Sequence, residues 1–245
     1  MDTAFARQLA AVEDQHWWFV ARRRILDVVI RRLGLPAEAD MLEIGCGSGG
    51  NLPVLSQYGR CFGVEPDPEA RMLAASKGLG PVAPGGLPDD LPFGDRTFDL
   101  IALLDVLEHV ADDLTSLRTI HARIKPGGQL LLTVPAYRFL WGPHDELNHH
   151  YRRYTRGELV GKMRAAGFAV RHASYFNTLL FPAIAAARLL ERIRPDTDAH
   201  HDLDLPGHRV NTVLTRIFAS ERHVVPRFAL PFGVSVLVVA ERVDR

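Results

Sequence analysis

A glycine-rich turn occupies residues 42–51, which read Leu42-Glu43-Ile44-Gly45-Cys46-Gly47-Ser48-Gly49-Gly50-Asn51. A short apolar run ends at the glycines, and residues 51–58 follow at helical spacing, so the turn is predicted to join a strand to a helix. Glycine lets the backbone turn sharply and approach a ligand closely. The stretch therefore predicts a binding site at the end of a β-strand.

Apolar runs and helical patterns alternate on both sides of this turn. Strands are predicted at 41–44, 61–64, 80–82, 98–104, 129–134, 168–175 and 235–240, and helices within 5–33 and at 69–77, 114–124, 156–166, 179–193 and 210–223. Strands that alternate with helices predict a parallel sheet covered on both faces. The fold class is therefore α/β.

The composition narrows the class of protein. The chain has 245 residues, 29 Lys plus Arg against 29 Asp plus Glu, and 47% hydrophobic residues. These values favour a compact globular protein over a disordered chain or a nucleic-acid binder. The two cysteines, Cys46 and Cys61, form no disulfide-dense pattern, and no secretory signal or membrane-spanning run is visible, so a cytoplasmic location is expected.

The glycine turn alone fits two cofactor classes. Gly45, Gly47 and Gly50 satisfy the G-x-G-x-x-G pattern, and Glu65 lies where an acid would hold ribose hydroxyls, as in dinucleotide-binding enzymes. No basic residue lies between positions 42 and 58, which favours a cationic sulfonium over a pyrophosphate. Three further features point the same way: Glu43 before the first glycine, the Asp105-Val106-Leu107-Glu108-His109 box, and Lys125-Pro126-Gly127-Gly128.

At these residues the chain resembles the class I S-adenosylmethionine-dependent methyltransferases, from about residue 41 to 135 and more weakly to the end. The resemblance implies a Rossmann-like, seven-stranded, mostly parallel sheet with the last strand antiparallel. It implies one domain over 1–245, divided into an N-terminal helical lid (1–36), a cofactor-binding core (37–135), an acceptor loop with a helix and a strand (136–175), a helical insertion (176–232) and the last strand (233–245). The implied cofactor is S-adenosylmethionine, with S-adenosylhomocysteine as product.

The resemblance also implies a set of cofactor contacts. Glu43, Gly45, Gly47 and Gly49 are expected to line the site, and Glu65 to accept hydrogen bonds from the ribose hydroxyls. The full predicted set is Glu43, Gly45, Cys46, Gly47, Gly49, Asn51, Glu65, Pro66, Leu87, Pro88, Asp105, Val106 and His109. Capping of the next segment is the alternative role for Asp105, and Glu108 is expected to be a solvated helix residue.

The segment 136–155 concentrates His, Arg and aromatic residues where an acceptor pocket is expected, beyond the carboxyl ends of the strands. His144, His149 and His150 are the candidate general bases, with a metal site and purely structural hydrogen bonds as alternatives. No metal is assigned. The predicted substrate contacts are Trp17, Trp18, Arg22, Tyr137, Arg152, Arg153 and Tyr154, with burial or surface charge as the alternatives and an acid such as Glu43 as a partner for Arg22.

The predicted reaction is methyl transfer to oxygen or nitrogen of a small acceptor, EC 2.1.1, with a lipophilic or lipid-linked acceptor suggested by the apolar helix 179–193. The alternative roles of that helix are packing against the domain, dimerisation and peripheral membrane contact. The alternative functions are a dinucleotide-dependent oxidoreductase and a non-catalytic module that binds S-adenosylmethionine. The expected partner is a small molecule, with no nucleic acid and no transmembrane segment, and the protein is expected to be a monomer or homodimer. Seven basic residues against three acidic ones in 137–171 predict a positive acceptor mouth.

Overall fold

The computed structural model describes residues 10–193 and 204–243, which build one seven-stranded sheet with helices on both faces. The strands are β1 Ala39–Ile44, β2 Gly59–Val64, β3 Val82–Ala83, β4 Phe98–Leu104, β5 Ile124–Pro135, β6 Phe168–Phe176 and β7 Ser235–Arg242. The helices are α1 Trp17–Arg31, α2 Leu52–Leu55, α3 Pro68–Ser76, α4 Asp113–Arg123, α5 Pro143–Leu147, α6 Arg156–Ala165, α7 Phe181–Ile193 and α8 His208–Ser220.

The strand order is β3-β2-β1-β4-β5-β7-β6, and β7 pairs antiparallel with both β5 and β6. Strands β1 to β5 pair parallel with one another, which confirms the predicted α/β fold with an antiparallel last strand. The chain order reverses between β1 and β4, where ligands of open α/β sheets bind.

Alternate residues of the central strands feed two cores, one on each face of the sheet. Leu42 and Ile44 pack with α4 and α6 on one face, whereas Met41 packs with α1, α2 and α8 on the other. This two-sided burial explains why the strands read as continuous apolar runs. The sheet is thus rigid where it carries the loops at its carboxyl edge.

Local signals in the sequence set several helix ends. Thr155 and Glu158 form a capping box at the start of α6, and the Asp67 side chain accepts from two backbone N–H groups at the start of α3. Gly34, with φ of 68°, follows the end of α1. The helix predicted over 51–58 is shorter in the structure, where it spans only Leu52–Leu55.

The insertion between β6 and β7 is held to the sheet by a buried carboxylate. Glu221 accepts hydrogen bonds from the backbone N–H groups of Asn177, Thr178 and Leu179, at 2.7, 2.7 and 2.9 Å. This contact ties the segment after α8 to the segment that leads into α7. The sequence also predicts a polar linker rich in Pro, Asp and His at 194–208, which up to position 203 lies outside the described residues. Among the described helices, none has the length and apolar character needed to cross a membrane.

Candidate active site

The glycine turn follows β1, and three of its glycines adopt conformations that L-residues disfavour. Gly45, Gly47 and Gly49 have φ angles of 69°, 56° and 81°. A Cβ atom at Gly45 would lie 2.6 Å from the Val106 side chain, so the turn packs directly against the loop after β4. A Cβ atom at Gly47 would meet nothing within 4 Å. Gly47 therefore leaves open space beside the turn.

Glu65 directly follows β2 and holds the glycine turn by hydrogen bonding. Its carboxylate accepts hydrogen bonds from the backbone N–H groups of Gly47, at 2.8 Å, and Asp67, at 3.0 Å. Burial raises the pKa of Glu65, although these two hydrogen bonds oppose the shift. Each oxygen keeps lone-pair capacity for a further donor, which suits a vicinal diol.

Glu43 lies at the bottom of the same site, on β1. The Asn51 side chain donates to one carboxyl oxygen of Glu43 at 2.7 Å, while the other oxygen has no partner among the described residues. Burial raises the pKa of Glu43 to about 7. A buried carboxyl with an unfilled acceptor is a natural partner for a cationic or hydrogen-bond-donating ligand group.

The raised pKa of Glu43 predicts a pH-dependent stability. Between its ordinary pKa of 4.5 and about 7, Glu43 holds a proton in the folded state that the unfolded chain releases. Stability from this group is therefore fully present below the unfolded pKa and falls as pH rises through that window. Relative to Glu43→Gln, the wild-type free energy of unfolding should fall by about 2–3 kcal/mol from about pH 5 to about pH 8. Urea denaturation at both pH values checks this, and an unchanged difference between the two proteins would contradict it.

The N-terminal helix α1 closes one side of the site. The Arg22 guanidinium forms an ion pair with the carboxylate of Asp105, which follows β4, and stacks 4.5 Å from the Trp18 ring centroid. Asp105 has a φ of 58°, an unusual conformation for a non-glycine residue. Arg22 thus pairs with Asp105 rather than with Glu43. Trp17 lies away from this pair and packs on α8, with its ring 6.1 Å from Phe218.

A buried carboxylate organises the loop after β5. Asp145 is fully buried and accepts from Arg153 Nε and Nη2, at 2.8 and 2.9 Å, and from the Gly142 N–H. The His150 Nδ1 lies 2.8 Å from the same carboxylate. Burial alone would raise the pKa of Asp145, but the hydrogen bonds from His150 and Arg153 hold it well below its usual range. Asp145 therefore positions the imidazole of His150.

Glu108 and His109 lie on a 3-10 turn, Leu107–His109, that follows β4. The His150 ring contacts them from the loop after β5. The His109 and His150 ring centroids are 4.5 Å apart, and His109 Nδ1 lies 2.9 Å from the Asn148 carbonyl oxygen. Glu108 is 1% exposed, so the expectation of a solvated residue is wrong. Burial, and then the nearby Asp105 charge, raise the pKa of Glu108 well above its ordinary value. Burial and the neighbouring His150 lower the pKa of His109 to about 4.

The three candidate bases occupy different environments. His150 is half-buried and lies with the buried Glu108 and the half-buried His109. His144 lies beside it, with ring centroids 6.0 Å apart and its Nε2 3.3 Å from the Asn148 side-chain nitrogen. His149 is exposed and has a φ of 54°. His150 and His149 are adjacent in sequence, but only His150 lies with Glu108 and His109.

The predicted acceptor-side arginines are held in ion pairs. Arg153 pairs with Asp145, whereas Arg152 pairs with Asp113 at 2.8 Å. Tyr154 is 2% exposed and donates its hydroxyl hydrogen to Asp113 at 2.9 Å. These contacts pair two of the seven basic residues of segment 137–171 with acids and hold the loop against the start of α4.

Aromatic side chains border the site above β5, β6 and β7, and we call them the aromatic rim. Tyr137 stacks on both Tyr175 and Phe139, with ring centroids 5.0 and 5.2 Å apart. Phe181, at the start of α7, lies 5.9 Å from Tyr137 and 5.5 Å from Phe232. Phe139 and Phe232 remain 44% and 42% exposed. The rim is therefore an accessible apolar surface.

The other predicted cofactor residues surround the turn. Val106 packs on Gly45, and Leu87 packs against the core beneath the loop that contains Pro88. Pro66 is exposed next to Glu65. The Cys46 thiol is buried, and burial raises its pKa far above its usual range, so it is not a nucleophile at neutral pH.

Glu13 lies beside the glycine turn, although the sequence did not point to it as a site residue. The Glu13 carboxylate covers Gly50, where any Cβ would collide with it, and it pairs with Lys77 at 3.2 Å. In the sequence, the only indication of a site role for Glu13 is that it is an acid close to the Trp17-Trp18-Phe19 run, and that indication is weak.

Comparison with known proteins identifies the family. A family model described as a methyltransferase domain matches residues 17–173. Norajmaline N-methyltransferase of Rauvolfia serpentina is 35% identical over 109 residues, 41% of this chain and 37% of that protein. A Mycolicibacterium smegmatis protein described as a probable S-adenosylmethionine-dependent methyltransferase is 29% identical over 170 residues, 67% of this chain and 64% of that protein. A ubiquinone biosynthesis O-methyltransferase of Methylobacterium nodulans is 28% identical over 176 residues, which are 60% of this chain and 69% of that protein.

Solved structures share the fold. The complex of the Haloferax volcanii Trm112 methyltransferase activator with a methyltransferase aligns with a TM-score of 0.65 and 22% identity, over 99% of this chain and 96% of that chain. Phosphoethanolamine N-methyltransferase 2 of Haemonchus contortus, solved with S-adenosylmethionine, aligns with a TM-score of 0.56 and 18% identity, over 88% of this chain and 51% of that chain. Because the family match covers well over half of the chain, including the glycine turn and His150, the chain belongs to the class I S-adenosylmethionine-dependent methyltransferases.

Proposed function

We propose that this methyltransferase acts on an oxygen or nitrogen atom of a small, lipophilic acceptor that enters past the aromatic rim. The observation that carries the proposal is the position of the rim, at the same sheet edge as the glycine turn, with Phe139 and Phe232 exposed. Relatives named as N-methyltransferases and O-methyltransferases support either acceptor atom. The family assignment sets aside the dinucleotide-dependent alternative.

The residues present fit S-adenosylmethionine. Glu65 offers acceptors for the ribose hydroxyls, the open space beside Gly47 admits a ligand, and the unfilled oxygen of Glu43 suits the ammonium end of the methionine moiety. When bound, the cofactor supplies an electrophilic methyl group on a sulfonium. The chain itself orients this group, excludes water with α1, and receives the acceptor proton.

For the proton, we propose the group of Glu108, His109 and His150. Glu108 and His109 lie on the loop that carries Asp105, and His150 contacts His109 from the loop after β5. The charges of Asp105 and Arg22 both act on Glu108. Asp145 holds His150 by its Nδ1 atom, so the other ring nitrogen faces away from that carboxylate. This arrangement resembles the oriented imidazoles that accept protons in many enzymes.

Transfer of a labelled methyl group to matched acceptors tests the proposal. Pairs of phenols and amines, with and without an alkyl chain, should show higher kcat/KM for the alkylated member of a pair. Efficient turnover of only the short, polar members would overturn the lipophilic acceptor. Cofactor binding without transfer to any acceptor would favour the non-catalytic module.

Replacement of His150 should separate it from its neighbours. We expect His150→Asn to lower kcat about 100-fold, because it removes the oriented imidazole, while the affinity for S-adenosylmethionine stays unchanged. The matched control is His149→Asn, at the exposed adjacent position. Steady-state kinetics and calorimetry check this, and equal losses in the two variants would contradict the role of His150.

A further inference from the structure

Glu108, His109 and His150 form a compact group of potential metal ligands, which we call the Glu-His-His cluster. One carboxylate oxygen and one ring nitrogen from each histidine lie within 4.8 Å of one another. Glu108 is 1% exposed, and its Oε2 atom has no hydrogen-bond partner among the described residues. A buried carboxylate oxygen without a partner is costly, so a bound group is expected to fill it.

The outer partners of both histidines prepare them as ligands. The Nδ1 atom of His109 faces the Asn148 carbonyl oxygen, and the Nδ1 atom of His150 faces the Asp145 carboxylate. Both oxygens are acceptors only, so Nδ1 carries the proton on each ring and Nε2 keeps its lone pair. Histidines that bind metals almost always donate their other N–H group to a carbonyl or a carboxylate in this way.

We propose that the Glu-His-His cluster binds a divalent transition-metal ion, such as Zn²⁺ or Mn²⁺, and leaves coordination positions open to the acceptor. Ligand atoms at about 2.1 Å from an ion stand roughly 3.4 Å apart in tetrahedral geometry, which small side-chain rotations can reach from the observed spacing. Two imidazole nitrogens and one carboxylate oxygen suit such ions better than Mg²⁺ or Ca²⁺, which prefer oxygen ligands. Of the three predicted histidines, only His150 belongs to this cluster.

The consequence for catalysis rests on the proposed function and changes its proton step. With an ion bound, the free ring nitrogen of His150 is a ligand, so the acceptor proton leaves to solvent rather than to the imidazole. An acceptor hydroxyl bound at an open position would lose its proton to solvent more easily, because the ion stabilises the resulting oxyanion. The oxygen lone pair then forms the new O–CH₃ bond, and the electrons of the breaking S–CH₃ bond stay on sulfur. The products are the methyl ether, S-adenosylhomocysteine and one proton. A metal site therefore favours hydroxyl acceptors over amines.

Direct metal binding tests the inference without any turnover. Full-length protein is freed of metal with a chelator and titrated calorimetrically with Zn²⁺, Mn²⁺ and, as a comparator, Mg²⁺. We expect one equivalent of Zn²⁺ to bind, Mg²⁺ to bind far more weakly, and Co²⁺ to give a visible absorption band typical of nitrogen and oxygen ligands.

Three variants locate the site. Glu108→Gln and His109→Asn should each weaken Zn²⁺ binding by at least about 100-fold, since each removes a direct ligand and outer partners alone are worth about 10–100-fold. His149→Asn, next to the cluster but exposed, should bind as the wild type does. Unchanged circular dichroism in all three variants, together with an unchanged affinity for S-adenosylmethionine in Glu108→Gln, excludes misfolding. Equal Zn²⁺ affinity in Glu108→Gln and wild type would overturn the inference, as would an absence of binding by correctly folded wild-type protein.

The inference and the proposed function fail separately. Methyl transfer at full rate by metal-free protein in the presence of chelator would overturn the ion's part in the reaction and leave the methyltransferase proposal intact. Stoichiometric Zn²⁺ binding at the cluster, with no transfer to any hydroxyl or amine acceptor, would do the reverse.

Discussion

Replacement of Glu65 by alanine should weaken binding of S-adenosylmethionine by roughly 1,000-fold. The Glu65 carboxylate accepts hydrogen bonds from the Gly47 and Asp67 N–H groups, and the proposed cofactor site has it accept from the ribose hydroxyls as well. Hydrogen bonds to a charged group contribute about 1.5–3 kcal/mol each, so the loss of two ligand contacts corresponds to about 4 kcal/mol. Isothermal titration calorimetry measures the change.

Two further variants show whether the carboxylate itself is responsible. Glu65→Gln keeps the shape but replaces one acceptor oxygen with a donor, and it should lose most of the same affinity. Glu38→Ala removes an exposed carboxylate from the loop before β1 and should bind as the wild type does. Comparable affinity in Glu65→Ala and Glu38→Ala would refute the role of Glu65.

The sheet was predictable because its signals are local. The glycine turn after β1 and the apolar runs of β1, β2 and β4 each mark a buried strand without help from distant residues. Boundaries were less accurate where tertiary contacts decide them. The short β3 is Val82–Ala83 rather than 80–82, and β5 begins at Ile124, because the Lys125-Pro126-Gly127-Gly128 segment continues the strand.

The proximity of the predicted cofactor residues could also be expected from the sequence, whereas the contacts of the predicted acceptor residues could not. Glu43, Gly47 and Glu65 lie on one short unit of strand, turn and strand, so their spacing along the chain determines their proximity. By contrast, the pairing of Arg22 with Asp105 joins residues that are 83 positions apart. No pattern along a single chain encodes such a contact.

Burial was the main quantity that the sequence could not supply for charged residues. Glu108 follows Asp105 in a box that reads as the start of a solvated helix, yet it is enclosed with His109 and His150. Arg152 and Arg153 read as a positive surface, yet each is paired with an acid. These two ion pairs give the loop after β5 a defined structure.

The largest stability loss is expected from Asp145→Ala, about 3–5 kcal/mol in the free energy of unfolding. Asp145 is fully buried and is the shared acceptor for Arg153, His150 and the Gly142 N–H. Removal of one partner of a buried ion pair leaves the other charge desolvated and uncompensated, which costs this amount. Urea denaturation at neutral pH measures it.

A charge-free replacement of the pair distinguishes this cause from simple loss of packing. In Asp145→Leu combined with Arg153→Met, no uncompensated charge remains buried, so the double variant should recover much of the stability lost in Asp145→Ala. Asp14→Ala, which removes an exposed partner of Arg23, should cost less than about 1 kcal/mol. The double variant should nevertheless lose catalysis, because His150 no longer has the carboxylate that orients its ring. Recovery of stability without recovery of activity would separate the two roles of Asp145, one in folding the acceptor loop and one in positioning the imidazole. Full activity in the double variant would show that His150 needs no such support.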